Sequence, residues 1–149
     1  MTLEKKKEYL LRYQLIDKKI EHELEELALW KEKAKKVTAV LTGLPGPQSK
    51  TGGMQNICDK VMDMEKEVGI HIEKMLQLKQ ELESIISAVP HEIYRLLLQY
   101  RYLDFMLWEH IAVRLNYNYY YVRKELHKKA LELLIIPSDT LLIRDNILS

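Results

Sequence analysis

Two apolar stripes with the same alternating step of four and three residues limit what this chain can fold into. The first runs Tyr9, Tyr13, Ile16, Ile20, Glu23, Leu27, Trp30, Ala34, Val37 and Leu41. The second runs Met54, Ile57, Val61, Met64, Val68, His71, Met75, Leu78, Leu82, Ile85 and Val89. A mean step of about 3.5 residues keeps one helix face turned toward a partner along its whole length, the pattern of a coiled-coil seam. Alternation of the β type survives nowhere for more than a few residues, so the fold class is all-α. Between the stripes lies GLPGPQSKTGG, residues 43–53, with four of the five glycines and two of the four prolines. Two helices of similar length on either side of such a joint fold back most simply as a long antiparallel hairpin, coiled-coil-like, over residues 1–89 with its loop at 42–53.

Partners across an antiparallel hairpin have nearly constant index sums. Leu41 with Met54, Val37 with Ile57 and Trp30 with Met64 all give 94 or 95, and the same rule sets Glu23 beside His71. Glu23 is the one acidic residue of its stripe and His71 the one basic residue of its own. Paired, they form a polar layer that sets register at some cost in stability. In the competing arrangement the helices rotate, Leu24 and Ile72 take the core places, and both polar groups are solvated. Residues 1–89 carry fifteen Lys plus Arg and fifteen Asp plus Glu, which points to a scaffold or oligomerisation surface rather than a nucleic-acid clamp. The joint approaches a phosphate loop in GLPGPQSKT, but no glycine directly precedes Lys50 and no strand leads in, so it reads as a flexible turn.

Past the hairpin, residues 90–134 change character. A third helix is expected from Pro90, with Ile93, Leu96, Leu97, Tyr100 and Leu103 on its apolar face. WEHIAVRLN follows as a short helix with Ile111, Ala112 and Leu115 inward, then a longer one from about Tyr119 to Leu134 with Val122, Leu126, Ala130 and Leu133 recurring. Asn116 suits a left-handed turn and Asn118 suits a helix cap. Two helices joined so tightly read as a helix-turn-helix. The net charge of the whole chain is +1, whereas His110 to Ala130 holds five Lys plus Arg against one Glu. With Val122 inward and about 100° per residue, Tyr120, Lys124 and His127 point outward and Tyr121, Arg123 and Lys128 flank them. These six residues are the candidate DNA-binding set: base edges for the N-terminal part, phosphates for the flanking cations and hydroxyls. Tyr117 and Tyr119 are assigned instead to packing, Tyr117 under the turn and Tyr119 half buried.

The segment LLQYRYLDFMLWEHIAVRLNYNYYYVRKELHKKAL resembles the region 4 helix-turn-helix of sigma-70-type factors, through Arg101-Tyr102, Trp108, Ile111-Ala112, Leu115, Val122 and His127 to Leu131. With the hairpin and joint before it, the chain from about Lys5 to Leu134 is similar to small phage and prophage proteins related to ArpU-type late transcriptional regulators. The resemblance implies double-stranded DNA as partner, RNA polymerase as a second candidate partner, and a bacterial host cytoplasm. Three departures stand out: Phe105 where a turn glycine is common, Leu107 where Ser or Thr would cap, and one more residue between Val122 and Ala130 than in many relatives.

No enzyme signature is present, and no cofactor is expected. The histidines at 22, 71, 91, 110 and 127 form no H-x-x-x-H pair and none follows a Glu by three, so no metal site is expected. The single cysteine, Cys58, excludes an internal disulfide and fits a reducing compartment. No apolar run is long enough to span a bilayer. The tail, 135–149, carries Leu141, Leu142, Ile143, Ile147 and Leu148 and is expected to form a short helix after Ser138 that docks on its own chain or on a second copy. The leading functional expectation is a DNA-binding regulator acting as a homo-oligomer, with a dimer favoured. The alternative is a phage assembly or packaging protein, resembling a terminase small subunit, that oligomerises through the hairpin.

Overall fold

A computed structural model describes residues 1–43 and 51–138. Residues 42–43 and 51–53, predicted as part of the loop, are helical; the rest of that loop with the phosphate-loop reading, at 44–50, and the predicted tail helix, at 139–149, lie outside the described residues. The fold is all-α, a long helical N-terminal region followed by smaller helices, with no strand among the described residues. Helix α1 covers Leu3–Gly43 and α2 covers Thr51–Ser87. Contacts divide the chain into two units, Lys18–Lys74 and the remainder, so the division cuts both long helices instead of falling at Val89.

In the unit of residues 18–74 the two helices run antiparallel. Glu23 meets His71, Lys31 Nζ lies 3.0 Å from Glu65 Oε1, and the Thr38 hydroxyl lies 3.8 Å from Met54 Sδ. These three pairs share nearly one index sum, which is the register that the stripes predict. Ile20, Leu27 and Val68 are buried, and Trp30, Ala34, Val37, Ile57, Val61 and Met64 are half-buried. The solvated arrangement of the polar layer is overturned. His71 Nδ1 lies 2.9 Å from both carboxylate oxygens of Glu23, while Leu24 is 45% exposed. An ionised carboxylate only accepts, so Nδ1 carries the proton that it donates. Two interlocked stripes leave no freedom to rotate one helix by a residue without exposing Ile20, Leu27 and Val68 together.

In the other unit the base of the hairpin supplies Tyr9, Leu10, Tyr13, Ile16, Leu78, Leu82, Ile85, Ile86 and Val89, all buried. Burial is worth about 1.5–3 kcal/mol for each large aliphatic side chain among them. The Tyr13 hydroxyl is pushed above its ordinary pKa by burial first, then by the carboxylates of Asp17, Glu83 and Asp104. Helix α2 stops before Val89, because a residue preceding proline is steered away from helical geometry. The third helix starts later than predicted, at Glu92 rather than Pro90, since His91 takes a positive φ of 68°. Arg95 braces this corner by donating from Nη1 to the Val89 carbonyl at 2.7 Å.

Helix α3 (Glu92–Leu98) passes directly into a π-helical turn, Gln99–Leu103. Leu97, Leu98 and Tyr102 are buried here, whereas Ile93, Leu96, Tyr100 and Leu103 of the predicted apolar face are half-buried. Phe105 stands in the left-handed region at φ 57°, where its ring lies 5.4 Å from that of Tyr13. A left-handed non-glycine residue costs on the order of 1–2 kcal/mol, which this packing offsets. Helix α4 (Trp108–Leu115) then begins without a side-chain cap at Leu107, and Glu109 in its first turn faces the positive end of the helix dipole.

The polar layer generates a stability test. Glu23→Ala leaves a half-buried imidazole without its acceptor and is expected to cost about 1–3 kcal/mol in urea unfolding. Glu23→Leu combined with His71→Leu is expected to match or exceed the wild type; a double variant as unstable as the single one would show that the pair itself stabilises the hairpin.

Candidate nucleic-acid interface

The C-terminal module is built around a three-residue turn. Helix α4 ends on Asn116 at φ 60° and ψ 45°, the left-handed conformation that asparagine tolerates better than most side chains. The Tyr117 N–H donates to the Ala112 carbonyl at 3.1 Å and closes the helix end. Asn118 Oδ1 then accepts from the N–H groups of Tyr120, at 2.9 Å, and Tyr121, at 3.4 Å. This is an N-cap, and both roles read from the sequence for the two asparagines hold.

Residues 119–133 form one continuous helix, made of its first turn, a π-helical segment Tyr121–Leu126, and α5 (His127–Leu133). The His127 N–H donates to the Val122 carbonyl, five residues back. One added residue in a turn rotates everything beyond it by about 100° relative to a plain α-helix. The inward face becomes Val122, Leu126, His127, Ala130, Leu131 and Leu134, with Leu133 only half-buried.

His127 is therefore not on the outward face. It is 8% exposed, its Nε2 lies 2.6 Å from the Tyr102 hydroxyl, and its ring meets Trp108 edge-on at 4.6 Å. The plain-helix reading failed here because it carried 100° per residue through a segment that does not turn at that rate. Lys128, exposed, takes the outward direction that the same reading gave to His127.

The other five candidate residues are exposed: Tyr120, Tyr121, Arg123, Lys124 and Lys128. Arg123 donates from Nη1 to the Tyr119 hydroxyl at 2.9 Å, which holds the guanidinium along the helix. Tyr119 is half-buried as predicted, but Tyr117 is not tucked under the turn. It is 48% exposed and its ring lies 5.7 Å from that of Tyr121. Tyr119 and Tyr120 meet edge to face at 5.1 Å. The tyrosines thus form two ring pairs at the turn, with Lys124 and Lys128 further along the same helix. Beyond the six candidates, Lys129 is also exposed, and Arg114 lies over the Tyr100 ring at 5.5 Å. Both cations are visible in the sequence, and only the folded turn brings Arg114 to Tyr100.

The C-terminal end of the long helix is tied to the start of α1. Lys6 Nζ donates to the Leu131 carbonyl at 2.7 Å, a cation at the negative end of the helix dipole. No group of three or more His, Cys, Asp or Glu able to hold a metal ion occurs among the described residues, and none of their helices is long and apolar enough to cross a membrane. Compared with known protein families, curated proteins and solved structures, the chain gives no match.

Burial lowers the pKa of His127 to about 4, with Lys7 and Arg101 adding to the effect, and burial raises that of Tyr102 to about 12. Both groups are neutral at pH 7. Because the unfolded chain takes up the His127 proton near pH 6.5 and the folded chain does so only near pH 4, this group's contribution is complete above about pH 6.5. It is lost as pH falls toward 4, by on the order of 3 kcal/mol in total. Urea unfolding at pH 7, 5.5 and 4.5 is expected to show a steeper acid loss in wild type than in His127→Leu; equal slopes would count against a neutral buried His127.

Proposed function

We propose that this protein is a sequence-specific DNA-binding regulator of the phage or prophage type. In this reading the helix of residues 119–133 enters the major groove. The observation that supports it is the combination of an Asn-capped turn with a second helix whose N-terminal half exposes Tyr120, Tyr121, Arg123 and Lys124, with Lys128 exposed further along, while Val122 and Leu126 are buried. A recognition helix has the same needs: an anchored inner face, and side chains near its N-terminus free to reach base edges. Tyr120 and Tyr121 offer ring edges to thymine methyls and hydroxyls to phosphates, Lys124 a donor to a base, and Arg123 and Lys128 charge to the backbone. RNA polymerase remains the second candidate partner, and the bacterial cytoplasm the compartment, through the resemblance to ArpU-type regulators and sigma region 4.

The assembly reading has its own support. Leu15, Leu24, Leu29, Met62 and Ile70 are exposed on the long helices, more large apolar surface than a solvated hairpin needs. A homo-oligomer, with a dimer favoured, fits both readings. A ring-sized oligomer with weak, sequence-blind DNA affinity would favour the packaging protein over the regulator.

Fluorescence anisotropy against a pool of labelled duplexes at several salt concentrations tests the proposal. Lys124→Ala is expected to weaken binding to the preferred duplex by about 1–3 kcal/mol and relax its sequence preference. Lys128→Ala is expected to weaken binding to every duplex and flatten the salt dependence. If both variants bind as the wild type does, the docking face is wrong.

A further inference from the structure

A cleft of about 240 Å³ lies against the buried His127, lined by Lys7, Arg101 and Arg123 together with Tyr102 and Trp108. No carboxylate is among its described lining residues. The three cations come from three separate stretches of chain: the first turns of α1, the π turn that follows α3, and the π segment of the long helix. Like charges gather around one concavity only at a cost in repulsion, and a cleft lined by one sign of charge concentrates the field for a counter-ion.

Two of the three cations are held in place. Arg101 lies over the Trp108 ring at 4.7 Å and donates from Nη1 to the Met106 carbonyl at 2.9 Å, which leaves further guanidinium N–H donors. Arg123 is fixed by Tyr119. Lys7 is held more loosely, by an ion pair of 3.3 Å with the well-exposed Glu4. His127 lines the cleft beside them. When the Tyr102 hydroxyl donates to Nε2, the ring proton of the neutral imidazole sits on Nδ1, which has no hydrogen-bond partner among the described residues. The cleft thus offers three positive charges to an anion small enough to enter a space of this size.

We propose that this cleft holds one backbone phosphate of the DNA, so that the interface continues from the long helix onto the first turns of α1 with Lys7 as a phosphate-binding residue. The inference rests on the DNA-binding reading above. Arg123 joins the two parts, since it lines the cleft and directly precedes Lys124. A phosphodiester carries one negative charge with two free oxygens, enough to engage a guanidinium in a forked contact and a lysine from the other side. A contact of this kind positions the protein on the duplex and is blind to sequence.

Lys7→Gln tests it, because Lys7 is a surface residue whose replacement leaves the buried core intact. Lys33→Gln, a lysine of the same charge in the unit of residues 18–74, serves as the control. Both are measured by anisotropy on several duplexes from about 50 to about 200 mM salt, where counter-ion release makes affinity fall with salt. Lys7→Gln is expected to lose affinity by the same factor on every duplex and to shallow the salt slope by about one, with Lys7→Arg restoring both. Lys33→Gln is expected to behave as wild type. If Lys7→Gln matches Lys33→Gln while the Tyr120→Ala plus Lys124→Ala variant loses binding, the phosphate site is wrong and the DNA-binding reading stands. If the wild type binds no duplex at any salt, both fall together.

Discussion

A buried imidazole needs a partner, and the contact between His127 and Tyr102 organises the C-terminal module around that need. Tyr102 lies in the π turn after α3, and His127 immediately follows the π segment of the long helix. Each wide turn departs from the more favourable α-helical ladder, and the two departures bring the hydroxyl and the ring nitrogen to 2.6 Å with Trp108 closing over the ring. The consequence reaches the surface. Because His127 turns inward, the residues after it are rotated, and Lys128 takes the outward direction in its place. The chemistry of the exposed face is therefore set by a contact in the core.

The Glu23–His71 pair is a second polar contact with a different role. It is half-buried, it replaces an apolar layer in a seam that is otherwise Leu, Ile, Val, Met, Ala, Tyr and Trp, and desolvation offsets much of what the hydrogen-bonded pair returns. Its main physical effect is on register. Sliding one helix against the other by a heptad would set each polar group against an apolar layer, so the pair disfavours slipped hairpins even where it adds little stability. Lys31 and Glu65, further along the same two helices, repeat the pairing at the exposed edge, where an ion pair contributes less.

The proposed interface depends on small polar devices more than on bulk charge. Asn116 reverses the chain and Asn118 caps the helix that follows, so the N-terminal turn of that helix starts at a defined place with its tyrosines outside. The weaker corner before α4 has no such chemistry. Phe105 occupies a left-handed position that glycine would fill without strain, and Leu107 offers no oxygen to the helix start. Contact between the Phe105 and Tyr13 rings ties this corner to α1 instead. The same strand of chain that replaces turn chemistry with packing also carries Lys6 and Lys7, so the start of α1 is structural and electrostatic at once.

Much of this is legible in the sequence alone. The stripes named the all-α class, the hairpin and its register, down to the layer in which Glu23 and His71 meet. The two asparagines named the turn, and Tyr120, Tyr121, Arg123, Lys124 and Lys128 were placed outside correctly. These succeed because helical periodicity, turn conformation and capping are local: a few neighbouring residues decide them. What remained hidden were the partnership of Glu23 with His71 over solvation, the exposure of Tyr117, the later start of α3 and the burial of His127. Each depends on residues distant in sequence. A helix widens by one residue only when the side chain so redirected finds a partner, and for His127 that partner stands 25 residues earlier, on another helix. Spacing by itself determined which faces could be apolar; only the packed tertiary structure decided which polar side chain would be spent inside to make them fit.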